Sequence, residues 1–225
     1  MKVVQIASTK IRLYRLSQFP ILRLRYQEEH KRLAESLHFE WFQPAADIQD
    51  PNTPLSVVFR SGRFHDVLIP EIELTGRKVV IRVDGTSEQC ETVAHAFEKE
   101  LQKTMGNHVP EPVLTTDQSV IVSELSIDMA SLQNPVFQEV ADGLKKSDNT
   151  VSDVVPNQIT CTVHFMTEEK LRKEHINVVP KELSISRHGD SPDDDGIFES
   201  SMPTTSAVHS AVLEELEKRI ATETG

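Results

Sequence analysis

Ser126, Asp128 and His164 are the residues whose types could perform catalysis. The first two fall on one predicted strand, SVIVSELSIDM, and His164 falls on another, NQITCTVHFM. A serine nucleophile, a histidine base and an aspartate can form a triad in any chain order, because triads are defined by geometry. Ser126 would stand in the middle of a flat strand, however, without the exposed turn of a GxSxG motif or an oxyanion hole. We therefore predict no catalytic residue and keep an enzyme with an unrecognised site near Asp128 and His164 as the third hypothesis.

Metal and phosphate chemistry find little support in the residue spacing. The nine histidines and two cysteines form neither HExxH nor CxxC, and the eight glycines form neither GxGxxG nor GxxxxGK[ST]. The acidic stretch HGDSPDDDG, residues 188–196, offers oxygen ligands. With Gly196 at the glycine position of an EF-hand loop, Ser191 and Met202 occupy the positions that need Asp and Glu. We predict no metal site and no cofactor, and leave open whether residues 188–206 bind a cation.

The segment KIRLYRLSQFPILRLRY, residues 10–26, is basic, whereas the whole chain has net charge −11. It contains no acidic residue, and its basic residues are Lys10, Arg12, Arg15, Arg23 and Arg25. It fits a nucleic-acid-binding arm with Tyr14 and Tyr26 as stacking groups, a strand pair that docks on an acidic protein surface, or a sheet edge that arginines keep soluble. The apolar residues between the arginines need burial, which favours the two packing interpretations.

The acidic bulk of the chain, with an isoelectric point near 5.3, opposes general nucleic-acid binding because phosphates repel it. Aromatic residues make up only 5% of the chain, which also disfavours an RNA-binding module. No apolar run is long enough to span a membrane, and Lys10, Arg12 and Arg15 interrupt any leader-like segment. Cys90 and Cys161 lie far apart and are typical of buried thiols. We therefore expect a cytoplasmic protein that does not bind membranes.

The middle of the chain predicts strands punctuated by glycines, followed by a helix. LSVVFRSG, FHDVLIPEIELTG and RKVVIRVDG alternate in the manner of a sheet with one buried face. Thr86 and Gln89 have the spacing of a capping box at the start of a helix that continues to Lys103. A further helix, NPVFQEVADGLKKS, is predicted before the strand that contains His164. No internal repeat is detectable in the sequence.

This order of elements indicates an α+β fold, in which helices cover one face of a mostly antiparallel sheet, and it is compatible with a ferredoxin-like core. We divide the chain into a basic N-terminal strand pair and helix (1–42), an α+β core domain (55–187), an acidic linker (188–206) and a C-terminal helix (207–225). The uncovered face of the sheet is expected to be polar. Its predicted residues are Arg60, Glu71, Glu73, Arg82, Asp84, Glu124, Ser126, Asp128, Thr160, Thr162 and His164.

These features favour a non-catalytic subunit or adaptor of a larger protein assembly. Its partner would be another protein or further copies of itself, bound through the polar sheet face and the basic residues of the N-terminal segment. A nucleic-acid-binding protein that uses the same arginines is the second hypothesis. If the segment only makes contacts, deletion of residues 1–26 is expected to weaken assembly without unfolding the core.

Overall fold

A computed structural model describes residues 1–15, 27–42, 56–105, 109–126, 158–163, 181–188 and 196–223. The helices are α1 (Gln27–Ser36), α2 (Ser87–Met105) and α3 (Ser206–Glu223). The strands are β1 (Lys2–Leu13), β2 (Trp41–Phe42), β3 (Ser56–Phe64), β4 (Val67–Thr75), β5 (Lys78–Asp84), β6 (Leu114–Glu124), β7 (Gln158–Val163), β8 (Lys181–Arg187) and β9 (Ile197–Met202).

The described strands form a single nine-stranded sheet with the order β2-β3-β4-β5-β1-β6-β9-β8-β7. Every pairing between neighbours is antiparallel. Helix α2 packs on β1 and β5, α3 packs on β6, and α1 packs against α2. The predicted α+β class is confirmed. A ferredoxin-like core is not confirmed, because β3-β4-β5 and β7-β8-β9 are each meanders rather than split β-α-β units.

The larger core lies between the first meander and the helices α1 and α2. Phe59 is fully buried at its centre and packs against the rings of Phe39 and Phe97, at centroid distances of 5.4 and 6.2 Å. Gly62 allows this arrangement, because a Cβ at that position would overlap the Phe39 ring. Side chains alternate between the two faces along each strand of the first meander. Those that do not enter this core lie on the opposite face of the sheet, which we call the open face.

Strand β1 lies in the centre of the sheet, where it pairs with β5 on one side and with β6 on the other. Its residues from Ser8 to Leu13 have partners on both neighbours. Removal of residues 1–26 would take away the strand that joins the two halves of the sheet, so the position of β1 argues against the expectation that this deletion spares the core. The sequence pattern indicates an exposed strand, because basic side chains alternate along β1, whereas β1 is the central strand of the sheet.

The two halves of the sheet repeat the same topology. In each half a strand (β1 or β6) is followed by a three-stranded meander and a helix, and the last strand of the meander pairs with that first strand. Ser8 pairs with Val83, four residues before α2 begins, and Ser119 pairs with Met202, four residues before α3 begins. Because Ser8 and Ser119 also pair with each other, the relation between the halves is an approximate two-fold rotation at that point.

One strand lies where the sequence indicates part of a linker. Residues Ile197–Met202 form β9, which pairs with both β6 and β8. Its side chains alternate, with Phe198, Ser200 and Met202 buried and Glu199 exposed. The serines between its apolar residues weaken the alternation in the sequence, although Ser200 is buried and donates a hydrogen bond to the Ile121 carbonyl at 3.1 Å.

Candidate functional site

Lys10 and Arg12, two of the five predicted contact residues, lie on the helix side of β1. Both are buried, with 6% and 5% of their surface exposed. The Lys10 ammonium lies 2.6 Å from Asp117 and 2.7 Å from Glu91. The Arg12 guanidinium lies 2.7 Å from Glu91 and also pairs with Glu98. Their charges are therefore engaged in fixing α2 to the sheet.

The electrostatics of this network favour the charged forms. Burial alone would lower the pKa of Lys10, but its hydrogen bonds to Asp117 and Glu91 outweigh burial and raise the pKa. Burial would likewise raise the pKa of Glu91, yet the hydrogen bond from Lys10 and the charge of Arg12 lower it. Tyr14 completes the network by donating a hydrogen bond to Glu98 at 2.5 Å. Burial and that hydrogen bond raise the pKa of Tyr14.

The other three predicted contact residues lie at or beyond the end of the described N-terminal stretch. Arg15 is exposed at the end of the described N-terminal stretch. Arg23 and Arg25 lie outside the described residues. Their role in binding stays a prediction.

The open face carries a continuous row of paired side chains across neighbouring strands. Trp41 on β2 pairs with Arg60 on β3, Arg60 pairs with Glu71 on β4, and Glu71 pairs with Arg82 on β5. Arg60 donates to Glu71 at 3.0 Å, and Arg82 donates to the other oxygen of the same carboxylate. The Arg60 guanidinium lies over the Trp41 ring, 5.1 Å from its centroid. This set, which we call the Trp–Arg row, holds an aromatic ring and two cations in one fixed arrangement.

The Trp–Arg row is accessible from solvent. Trp41 is 42% exposed, and the side chains of Arg60 and Arg82 are 56% and 44% exposed. The sequence pattern places the two arginines and Glu71 on the polar face, but it includes Trp41 in the N-terminal region (1–42) that is expected to close with a helix. That helix ends at Ser36, and Trp41 instead lies on a short strand at the sheet edge. The prolines that follow at 44 and 51 were the signal that the helical period does not continue.

A cavity of about 500 Å³ opens at the same end of the sheet. It is lined by His38, Glu40, Ser61, Gly62, Arg63, Leu68, Ile69, Pro70 and Asp84. Two non-glycine residues at its wall, His38 and Ser61, have the left-handed φ values 49° and 55°. The Glu40 amide donates to the Ser61 carbonyl at 3.2 Å, which holds the turn after α1 against β3. Glu40 and Ser61, which line the cavity, are chain neighbours of Trp41 and Arg60, but no member of the Trp–Arg row lines it.

A buried polar cluster lies where the two halves of the sheet meet. Ser87 and Ser206, the first residues of α2 and α3, exchange hydrogen bonds: each hydroxyl accepts from the other residue's amide, at 2.8 and 3.0 Å. His209 lies one turn into α3, and its Nδ1 is 2.7 Å from the Ser119 hydroxyl. Its Nε2 is buried and has no hydrogen-bond partner in the described part of the chain. Burial lowers the pKa of His209 to about 4.

This cluster was not predicted from the sequence, although the sequence contains one signal for it. Both helices begin with the same dipeptide, Thr86-Ser87 and Thr205-Ser206. In both, the threonine carbonyl accepts the first helical hydrogen bond, from Cys90 in α2 at 2.9 Å and from His209 in α3 at 3.0 Å. The predicted capping box is confirmed, since the amides of Thr86 and Gln89 donate to each other's side chains at 2.8 and 3.3 Å.

Asp128 and His164 lie outside the described residues, so the triad hypothesis stays a prediction. Ser126 is exposed, and its amide donates to Glu217 on α3 at 2.8 Å. Most of the acidic stretch at 188–196 also lies outside the described residues. Within the described ranges, no group of three or more His, Cys, Asp or Glu side chains is arranged to hold a metal ion.

No protein-family model matches this chain, and comparison with curated proteins finds no relative. The helices in the described parts of the chain are too short or too polar to cross a membrane.

Proposed function

We propose that the chain is a non-catalytic subunit or adaptor of a larger protein assembly, and that it binds another protein through the open face of its sheet. The observation that carries this proposal is the Trp–Arg row. Tryptophan and arginine are the residue types most enriched among interface residues that dominate binding energy. Here both residue types are exposed: Glu71 holds Arg60 and Arg82 in place, and the Arg60 guanidinium lies over the Trp41 ring.

Preorganisation makes the Trp–Arg row suitable for binding. Ordering a long side chain at an interface costs about 0.5–1.5 kcal/mol. Arg60 is already fixed by Glu71 and by the Trp41 ring, and Arg82 is fixed by Glu71. A partner that contacts this surface therefore meets side chains whose conformational freedom was lost on folding.

The charge of this surface favours a protein partner over nucleic acid. Glu71 lies between the two arginines, so the row carries only one net positive charge. The chain as a whole has net charge −11 and would repel a phosphate backbone. A polar protein surface without a large negative charge fits both facts. We keep Arg15, Arg23 and Arg25 of the N-terminal segment as additional contacts in this proposal.

Co-purification from the native host tests the proposal. A tagged full-length chain is compared with the double variant Arg60→Ala/Arg82→Ala, and bound proteins are quantified by mass spectrometry. We expect recovery of the specific partner to fall by about tenfold or more, because loss of a central interface arginine costs about 2 kcal/mol.

The matched control for this experiment is Lys99→Ala/Lys103→Ala. It removes two exposed positive charges from α2, which lies on the other side of the sheet. If both double variants recover the same proteins in the same amounts as the original chain, the open face is not the binding surface and the proposal fails.

A further inference from the structure

A bulge in β4 forms one wall of the cavity at the end of the sheet. The register between β4 and β5 shifts between Leu68 and Glu71, so Ile69 and Pro70 together lie opposite Val83. A proline is tolerated at this point because a bulge interrupts the ladder of hydrogen bonds. Leu68 is 44% exposed on the open face, whereas the next residue, Ile69, is fully buried. The bulge therefore leaves an apolar side chain accessible at the cavity.

A cross-strand row beside the bulge holds this leucine between two opposite charges. Leu68 on β4 pairs with Arg63 on β3 and with Asp84 on β5. All three residues are exposed and line the cavity. Paired residues share one face and neighbouring strands lie about 4.8 Å apart, so the backbones at Arg63 and Asp84 are about 10 Å apart. We call these three residues the Arg–Leu–Asp row.

The two charges of the Arg–Leu–Asp row are not neutralised by the described part of the chain. Neither Arg63 nor Asp84 takes part in an ion pair there, whereas the arginines of the Trp–Arg row share Glu71. A ligand that carries both an anion and a cation would pair with both residues at once. Glu40 also lines the cavity, so carboxylates outnumber the guanidinium, and phosphate or another multiply charged anion is disfavoured.

The wall of the cavity also contains strained backbone. Three described residues other than glycine have left-handed φ values, namely His38, Ser61 and His65. The first two line the cavity, and His65 lies in the turn between β3 and β4, two residues after Arg63. Left-handed backbone costs free energy in residues that have a Cβ, and it is concentrated at active sites and ligand sites. The position of the strain supports a binding role for this cavity.

We propose that the cavity binds a small zwitterion with an apolar body, of the kind formed by an apolar amino acid or dipeptide. Arg63 binds the carboxylate through its planar guanidinium, Asp84 binds the ammonium, and Leu68 and Pro70 contact the apolar body. The volume of about 500 Å³ lies within the range of about 300–1,000 Å³ that small-molecule sites span. This inference goes beyond the proposed function, because no member of the Trp–Arg row lines the cavity.

Titration of the full-length, isotopically labelled chain with L-leucine and with leucyl-leucine tests this inference. The readout is the chemical shift of the backbone amides of residues 61–69, excluding proline. We expect saturable changes with a dissociation constant of about 1 mM or lower for at least one of the two ligands, and the tighter ligand distinguishes an amino acid from a peptide. Isoamylamine lacks the carboxylate and isocaproate lacks the ammonium, so each should bind about tenfold more weakly than the tighter zwitterion.

Two charge-removing variants connect the binding to the Arg–Leu–Asp row. Arg63→Gln and Asp84→Asn change exposed residues, and each should weaken binding of the tighter zwitterion about tenfold. Lys99→Gln on α2 and Glu214→Gln on α3 remove the same charges from exposed positions elsewhere and should bind it normally. Amide shifts away from the cavity that match those of the original chain verify that each variant is folded.

Three results would overturn the inference. The first is the absence of saturable changes with both L-leucine and leucyl-leucine. The second is binding of isoamylamine or isocaproate as tight as that of the zwitterion, because one charge would then suffice. The third is normal binding by both Arg63→Gln and Asp84→Asn. None of these results bears on partner binding through the Trp–Arg row, which the co-purification of Arg60→Ala/Arg82→Ala tests separately.

Discussion

The buried His209 gives the protein a specific sensitivity to acid. Its pKa is lowered from 6.5 to about 4, because burial disfavours the imidazolium. The unfolded chain therefore binds a proton more readily than the folded chain between these two values. The neutral His209 costs the folded chain no stability above pH 6.5. As the pH falls from 6.5 towards 4, the free energy of unfolding decreases by about 3 kcal/mol in all.

The variant His209→Asn tests this linkage. Asparagine retains a polar group that can bond the Ser119 hydroxyl but does not titrate. We expect the free energy of unfolding, measured by urea denaturation at a series of pH values, to fall less steeply in the variant than in the original chain between pH 6.5 and 4. Parallel curves would show that His209 does not remain neutral in the folded state.

Arg12 and Arg82 are predicted to differ in how much they contribute to the free energy of unfolding. Arg12 is 5% exposed and bridges Glu91 and Glu98, so Arg12→Ala leaves Glu91 with Lys10 and leaves Glu98 with the neutral Tyr14 hydroxyl in place of a cation. We expect a loss of about 3 kcal/mol in the free energy of unfolding. Arg82→Ala removes a half-exposed ion pair and should cost less than about 1 kcal/mol.

Chemical denaturation of the two single variants measures the difference directly. If Arg12→Ala is as stable as the original chain but loses the partner, Arg12 is a contact residue, as the sequence suggests, and its structural role is wrong.

At the residue scale, the sequence predicts the capping box and the charged open face because both follow local spacing. It does not reveal that Lys10 and Arg12 are buried, because their acidic partners come from distant α2 and β6.

At the scale of elements, β1 is predicted to be indispensable. Because it joins β5 to β6, deletion of residues 1–26 removes both of its ladders at once. We expect the truncated chain to show no cooperative thermal transition by circular dichroism. A truncated chain that unfolds cooperatively at a similar temperature would contradict the central position of β1.

The three strands between residues 55 and 84 and the long helix after them were predictable from sequence, because their apolar residues alternate or recur with a clear period. Strand β9 was not predicted, and β1 was predicted only as part of a basic N-terminal strand pair, not as the central strand of the sheet. In β1 the buried positions are occupied by Ser8, Lys10 and Arg12, and in β9 they include Ser200. Polar residues that are buried in hydrogen bonds or ion pairs erase the pattern on which strand prediction depends.

At the scale of the whole molecule, the fold is built from two halves that share topology rather than sequence. Cys90 corresponds to His209, Val93 to Val212, Ala94 to Leu213 and Phe97 to Leu216, so position and apolar character are largely retained while identities differ. Lys10 and Arg12 occupy the places that Ile121 and Ser123 hold in the second half. The two halves share strand pairing and buried positions but few residue identities, so a search for similar residues does not detect the repeat.

The central claim is that the protein works within a protein assembly bound through its open face. The most direct measurement is the mass of the complex purified from the native host, by light scattering behind a sizing column, with absorbance at 260 and 280 nm. We predict a defined mass above the 25.4 kDa of one chain, a low 260/280 ratio, and loss of the excess mass in Arg60→Ala/Arg82→Ala. A single-chain mass, or an excess that this variant retains, would contradict the claim. A high ratio that salt abolishes would support nucleic-acid binding instead.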